Sequence, residues 1–291
     1  MFAIETRKLS KYYGKARGIV DLDLTVAKGE FFGFIGPNGA GKSTTIRTLL
    51  GLIGPSGGKA SVLGMDICSQ RNKILSRIGY LPSEAVFHSR MRVRDVLKFS
   101  ADLRGCACDG EAKALCERLG LDIGRKVEEL SFGNRKKVGI VCALQHRPEL
   151  LILDEPTSGL DPLMQREFFE ILQERNREGT TIFLSSHILS EIQRNCRRAA
   201  IIREGKIIAC DSVDALSRTN ARRVALSGAV ELAGLQGMKD LKKDENSLSF
   251  LYTGSMDELI RRLAAGHVEE LSIAEPDLDE IFMHYYEEDE L

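Results

Sequence analysis

The chain has 291 residues, 43% hydrophobic and 29% charged, which suffices for a substantial core and suggests one large domain plus a smaller one. A net charge of -1 argues against a broad basic surface for holding nucleic acid, so no nucleic-acid partner is expected. No apolar run approaches the roughly 18 residues needed to span a bilayer, and MFAIETRKLSKYYG lacks the apolar segment of a secretory signal, so a cytosolic chain is expected.

In chain order, Ile19 to Val26 alternates, with Leu22, Leu24 and Val26 on one face and Asp21, Asp23 and Thr25 on the other. That pattern predicts a half-exposed antiparallel strand. Glu30 to Ile35 is apolar and reads as a buried strand, and Gly36-Pro37-Asn38-Gly39-Ala40-Gly41-Lys42-Ser43-Thr44 after it matches GxxxxGK[ST]. Glycines let such a loop curl with its N–H groups facing phosphate oxygens. Lys42 reaches the outer phosphates, the Ser43 hydroxyl can ligate Mg2+, and a helix starting near Lys42 adds its positive end.

From about Leu81 to Lys137 strand signals thin out, and Val93 to Leu103 and Glu111 to Leu119 carry helical spacing, which predicts a helical insertion over about residues 81–138. Seven cysteines, an odd count without framework spacing, predict reduced thiols, and Cys106-Ala107-Cys108 lacks a second pair or nearby His to complete a metal clip. The cluster Arg135-Lys136-Lys137 reads as a local site or a solvated face. Beta character returns at Leu150 to Leu153, Thr181 to Leu184 and Ala199 to Ile202, then at Lys206 to Ala209 across a Glu204-Gly205 turn. Between the first two lies a helix that Asp161 can cap and Gly179 can end. Pro162 suits its first turn, and Met164, Phe168, Ile171 and Leu172 share a face. Helices between strands imply an α/β domain with a mainly parallel sheet, here residues 1–215.

Residues 216–291 change pattern, with strands near Arg223 to Leu226, Ser247 to Tyr252 and Val268 to Ile273 and helices near Asp257 to Ala265 and Asp277 to Tyr286. A separate small α+β domain is expected, and a ferredoxin-like split βαβ is one arrangement compatible with it.

Glu149-Leu150-Leu151-Ile152-Leu153-Asp154-Glu155 is an apolar strand that delivers two adjacent carboxylates where parallel sheets place their ligands. Asp154 is suited to hold Mg2+. Glu155 is suited to orient and deprotonate an attacking water, a contribution of roughly 10²- to 10⁴-fold in rate.

With these motifs the chain resembles the ATP-binding-cassette (ABC) ATPase family over about residues 3 to 212. The resemblance implies a P-loop NTPase fold with an antiparallel β subdomain and a helical insertion. Ser158-Gly159-Leu160-Asp161 looks like the family's D-loop, placing Asp161 near nucleotide, and Ser185-Ser186-His187 looks like its switch histidine, which contacts the γ-phosphate. Tyr13 resembles the aromatic that stacks on adenine, although Tyr12 is adjacent and either ring could pack in the core. Leu130-Ser131-Phe132-Gly133-Asn134 sits where the family carries LSGGQ, and Ser131 and Gly133 keep the hydroxyl and close-approach backbone that bind phosphate. Phe132 and Asn134 depart from the pattern. In Gly79-Tyr80-Leu81-Pro82-Ser83-Glu84 the expected Q-loop glutamine is missing, so Ser83 or Glu84 substitutes or coupling differs, and Ser83 can also cap a helix after Pro82. The tail from Pro276 to Tyr286, with Leu278, Ile281, Phe282 and Tyr285, looks similar to the ends of ATPase subunits of bacterial drug and peptide exporters.

The resemblance implies the cytosolic ATPase subunit of an ABC transporter, peripheral on the inner face of the membrane. Two such subunits, identical or related, sandwich ATP and Mg2+ and drive separate membrane permeases, with export as the implied direction and the helical insertion as the implied contact. The alternative is a soluble ABC-type ATPase that acts as a nucleotide switch without a membrane partner. A GTPase or small-molecule kinase would lack an NKxD motif here and leave the Ser131 and His187 segments unexplained.

Overall fold

The order of the secondary-structure elements explains how the phosphate loop and the two carboxylates reach one edge of a sheet. In chain order they run β1 (Phe2–Tyr13), β2 (Ala16–Ala27), β3 (Phe31–Ile35), α1 (Lys42–Leu49), β4 (Gly57–Val62), β5 (Met65–Asp66), α2 (Arg71–Arg77), β6 (Ile78–Leu81) and α3 (Val93–Asp102). They continue through α4 (Asp109–Arg118), α5 (Phe132–Leu144), β7 (Leu150–Asp154), α6 (Pro162–Arg177), β8 (Thr181–Ser186), α7 (Leu189–Asn195), β9 (Arg198–Arg203) and β10 (Lys206–Ser212). The computed structural model describes residues 1–217, 222–229, 232, 234–243 and 247–274, and divides into two units, Met1–Val213 and Asp214–Leu291.

The first unit holds two sheets, β2-β1-β4-β5 and β10-β9-β3-β8-β7-β6. The first is antiparallel, as the alternation in β2 predicted, with Leu22, Leu24 and Val26 buried. In the second, β9, β3, β8, β7 and β6 run parallel and only the β9–β10 hairpin is antiparallel. Every residue of β3, β7 and β8 is buried, as strands covered on both faces must be. Ile4, Leu9 and Leu22 of the first sheet share one apolar cluster with Ile46 and Leu49 of α1 and with Phe32, Phe34, Ile152 and Phe183 of the second. The phosphate-loop helix is thus part of the core that joins the sheets.

The Glu204-Gly205 turn lies against both sheets. Val20 N–H donates to Gly205 O at 2.7 Å, Gly205 N–H donates to Ala40 O at 2.8 Å, and Arg17 pairs with Glu204 at 2.5 Å. Gly205 has φ +78, and a Cβ there would meet Gly18 O at 2.7 Å, so glycine is required.

The insertion is helical, with α3 and α4 packed on α5. Two expectations are corrected there. Cys106 and Cys108 are joined by a disulfide rather than left as free thiols; their Cα atoms lie 5.7 Å apart, a separation such a bridge can span. The segment after Pro82 is irregular up to Val93, so Ser83 caps no helix.

In the second unit α8 (Val213–Ser217) starts at the boundary and is followed by β11 (Arg222–Ala229), β12 (Met238–Lys243), β13 (Ser247–Tyr252), α9 (Met256–Ala264) and β14 (His267–Ala274). The sheet order is β12-β13-β11-β14 with every neighbouring pair antiparallel. β13, α9 and β14 form a split βαβ with β11 inserted between the strands, over a core of Val224, Leu226, Phe250, Tyr252, Leu259 and Leu263. Among the described residues no helix is found between β11 and β12. The tail helix expected over Asp277 to Tyr286 lies outside the described residues. Among the described residues no helix is long and apolar enough to cross a membrane.

Candidate nucleotide site

β3 ends in the loop Gly36–Gly41, and α1 begins at Lys42. Gly41 carries φ +110 and Gly39 φ +82, left-handed conformations that side chains resist and that turn the loop into the helix. Gly36 is required for a different reason: a Cβ there would lie 2.3 Å from Ile202 O on β9. Lys42 is buried, its ammonium donating to Gly36 O at 2.6 Å and Pro37 O at 3.1 Å. These carbonyls hold the cation at the loop it must serve. A cavity of about 190 Å³ opens over the loop, lined by Pro37, Asn38, Gly39, Gly41, Lys42, Ser43 and Thr44 together with Tyr13, Arg17, Gly18 and Glu155. Ala40 is buried and does not line it.

Asp154, at the end of β7, is 2% exposed, and its Oδ1 finds no hydrogen-bond partner among the described residues. Burial pushes its carboxyl above the ordinary range, while the Ser43 and Ser185 hydroxyls act the other way. A buried carboxylate oxygen with spare lone pairs beside a serine hydroxyl fits a hard divalent cation, so Asp154 and Ser43 suit Mg2+.

Glu155 follows with φ +47, a left-handed conformation that costs a non-glycine residue about 1 kcal/mol or more. Its N–H donates to Ser185 O at 3.0 Å and its carbonyl accepts from Lys136. Its Oε1 then lies 3.4 Å from Lys42 Nζ and 3.3 Å from His187 Nδ1. The sheet therefore brings Lys42, Glu155 and His187 together from three strand ends.

The remaining motif residues lie elsewhere. Ser131 caps α5, its Oγ accepting from Asn134 N–H at 3.3 Å, and Asp161 caps α6, accepting from Met164 N–H at 3.0 Å. Gly133 faces Gly159, whose carbonyl would sit 2.6 Å from a Cβ at 133, and the Phe132 ring covers Gly159. The Ser131 segment thus packs on its own chain's Ser158–Asp161 loop, and Ser131, Gly133, Asp161 and His187 do not line the cavity. Tyr13 lines it and Tyr12 does not, and both rings are about half exposed, so neither packs in the core.

Two residues were not foreseen. Arg17 lines the cavity, and nothing in its sequence context marks it. Lys136 is 2% exposed, so of the two readings of Arg135-Lys136-Lys137, a local site or a solvated face, the solvated face does not hold for Lys136. Burial pulls its amine down to about 8, against the negative charges of Asp154 and Glu155, which raise it. A signal was available, because Lys136 precedes Ile140, Ala143 and Leu144 by helical steps on the buried face of α5.

A family model described as ABC transporter matches residues 19–158. The chain is 40% identical over 225 residues to the bacitracin transport ATP-binding protein BcrA of Bacillus licheniformis, covering 75% of this chain and 72% of that one. It belongs to the ABC transporter ATP-binding family. This ABC ATPase is also 31% identical over 303 residues to the linearmycin resistance ATP-binding protein LnrL of Bacillus subtilis, covering 97% of each chain. Among solved structures it is similar to an ATP-binding subunit of an ABC transporter, at TM-score 0.70 and 31% identity, over 74% of this chain and 92% of that one. The family establishes the P-loop fold, the binding of ATP and its hydrolysis coupled to transport, which makes membrane permeases its working partners. A soluble switch without a membrane partner is not favoured by these relatives.

Proposed function

We propose that this ATPase works as a pair of chains closed over two ATP molecules, each held by one chain's phosphate loop and the Ser131–Gly133 segment of the opposing copy. The observation that carries the reading is the position of Glu155 Oε1 between Lys42 Nζ at 3.4 Å and His187 Nδ1 at 3.3 Å, at the mouth of the loop. Catalysis is then positioning and electrostatics. Loop amides and Lys42 bind phosphate oxygens, Lys42 exchanging its carbonyl contacts for them. Glu155 orients the attacking water and accepts its proton, and His187 holds the γ-phosphate. Tyr13 stacks on adenine, and Asp161 steadies the opposing copy's nucleotide from the start of α6. Asp154 and Ser43 hold Mg2+, which when bound neutralises charge on the outer phosphates.

The capping of α5 by Ser131 supports the pairing, because it leaves a helix N-terminus and a glycine backbone outside the chain's own cavity. Drug and peptide export through the permeases is supported by the relatives named for bacitracin transport and linearmycin resistance. The protein then sits on the inner face of the membrane through those permeases, and residues 216–291 act as an accessory domain.

The test is Glu155→Gln, an isosteric change that removes the base. Hydrolysis should fall about 10²- to 10⁴-fold with ATP affinity retained, and ATP should shift the variant from monomer to dimer in light scattering. Unchanged turnover would remove Glu155 from its role. A monomer at saturating ATP, with turnover independent of protein concentration, would remove the pairing.

A further inference from the structure

The loop after β6 lacks a glutamine, yet it is tied to the end of β7. Lys136, five residues beyond Ser131 on α5, donates to three main-chain carbonyls: Pro82 at 3.1 Å, Ser83 at 2.8 Å and Glu155 at 3.0 Å. An ammonium has three N–H groups, so each has an acceptor. We propose that Lys136 is a positioning residue for hydrolysis, fixing the Glu155 backbone and with it the carboxylate, and linking that carboxylate to the Pro82–Ser83 loop in place of the missing glutamine. The inference rests on the reading of Glu155 as the base.

Glu155 needs such a hold because its φ of +47 is not a conformation that glutamate keeps unaided. Its peptide is clamped on both sides, by Ser185 O at its N–H and by Lys136 at its carbonyl. Without the ammonium, the Glu155 carbonyl loses that donor, and the residue can relax toward the right-handed basin. That rotation would swing Oε1 away from Lys42 and His187. Lys136 shares a helix with Ser131, so a force on the Ser131 end is delivered to the Glu155 backbone and the Pro82–Ser83 loop together. The link is main-chain on both sides, which explains how a chain with Ser83 at the glutamine's place retains a connection between these loops.

The experiment is a mutant cycle on the purified full-length chain, measuring steady-state ATPase of Lys136→Met and Lys136→Gln, each alone and combined with Glu155→Gln. Lys136→Met should lower kcat about 10- to 100-fold with KM for ATP within about twofold, the pattern of a displaced base rather than of lost binding. On the Glu155→Gln background the same change should alter the residual rate by less than about twofold, because the displaced group is already absent. Lys136→Gln, which keeps two donors, should recover part of the loss. Wild-type kcat in Lys136→Met, or an equal loss on both backgrounds, would overturn the proposal. If Lys136→Met lacks the wild-type circular dichroism spectrum, Lys136→Gln takes its place in the cycle, where a loss confined to the Glu155 background supports the proposal and an equal loss on both, or none, overturns it. A wild-type rate for Glu155→Gln alone refutes the base assignment and this proposal with it, whereas failure confined to the Lys136 arms leaves that assignment standing.

Discussion

Mild acid should loosen the frame between the Ser131 helix and the Pro82–Ser83 loop, through one histidine. His146, just beyond α5, shares a 3.1 Å hydrogen bond between Nε2 and Ile78 O at the start of β6, while its Nδ1 is buried without a partner among the described residues. Burial first, and the positive Arg104 second, pull its pKa from 6.5 down to about 4. The unfolded chain therefore binds a proton below pH 6.5 that the folded chain refuses until about pH 4. Stability is complete above the unfolded value and drains away as pH falls through this window. The full difference corresponds to about 3 kcal/mol, of which about 2 kcal/mol is lost between pH 7 and pH 5. For a domain of this size that is about 4 to 8 °C in melting temperature. His146→Gln can still donate to Ile78 O but cannot titrate. Calorimetric melts of both proteins at half-unit steps from pH 7.5 to 4.5 isolate the histidine, because every other group titrates in both. The wild type should lose about 4 to 8 °C more than the variant between pH 7 and pH 5. Parallel curves would refute the assignment of the acid sensitivity to His146.

Gly36→Ala places a Cβ 2.3 Å from Ile202 O, a main-chain atom of β9 that cannot step aside, so the loop itself must shift. ATP binding should weaken by about tenfold or more, measured with a fluorescent ATP analogue, while the far-ultraviolet spectrum stays native. Asp161→Ala removes the acceptor for Met164 N–H and should cost about 1 kcal/mol of stability. Asp161→Asn should recover most of it, and equal melting temperatures for Asp161→Ala and wild type would show the cap to be idle.

What could be read in the sequence followed from burial. Strands β3, β7 and β8 are covered on both faces, so they stand out as apolar runs, and the phosphate loop and both carboxylates sit directly at their ends. β1 was hidden by one residue. Thr6 and Leu9 are both buried across an odd step, because Lys8 at φ +47 and the accompanying register shift invert the inward parity half-way along the strand. β12, Met238-Lys239-Asp240-Leu241-Lys242-Lys243, carries too much charge to be recognised as a strand and is held by its pairing with β13. Lys136 was not singled out within its basic cluster for the opposite reason, since its burial is made tolerable by carbonyl acceptors at three separate points of the fold, which no local pattern reveals. In the proposed pair, the contacts of the cap residues Ser131 and Asp161 with nucleotide would come from a second chain, so one protomer does not display them.

The Glu204-Gly205 hairpin has a bearing on protein engineering. Exposed tips of short hairpins are ordinarily where a tag, a reporter domain or new chain termini are tolerated. This tip hydrogen-bonds Val20 on one side and Ala40 of the phosphate loop on the other. A graft at Gly205 would pull on the backbone that shapes the nucleotide pocket, so a library of insertions should find it among the least permissive surface turns. The same sensitivity offers a handle: a ligand-binding domain spliced there would transmit its own opening and closing to the phosphate loop.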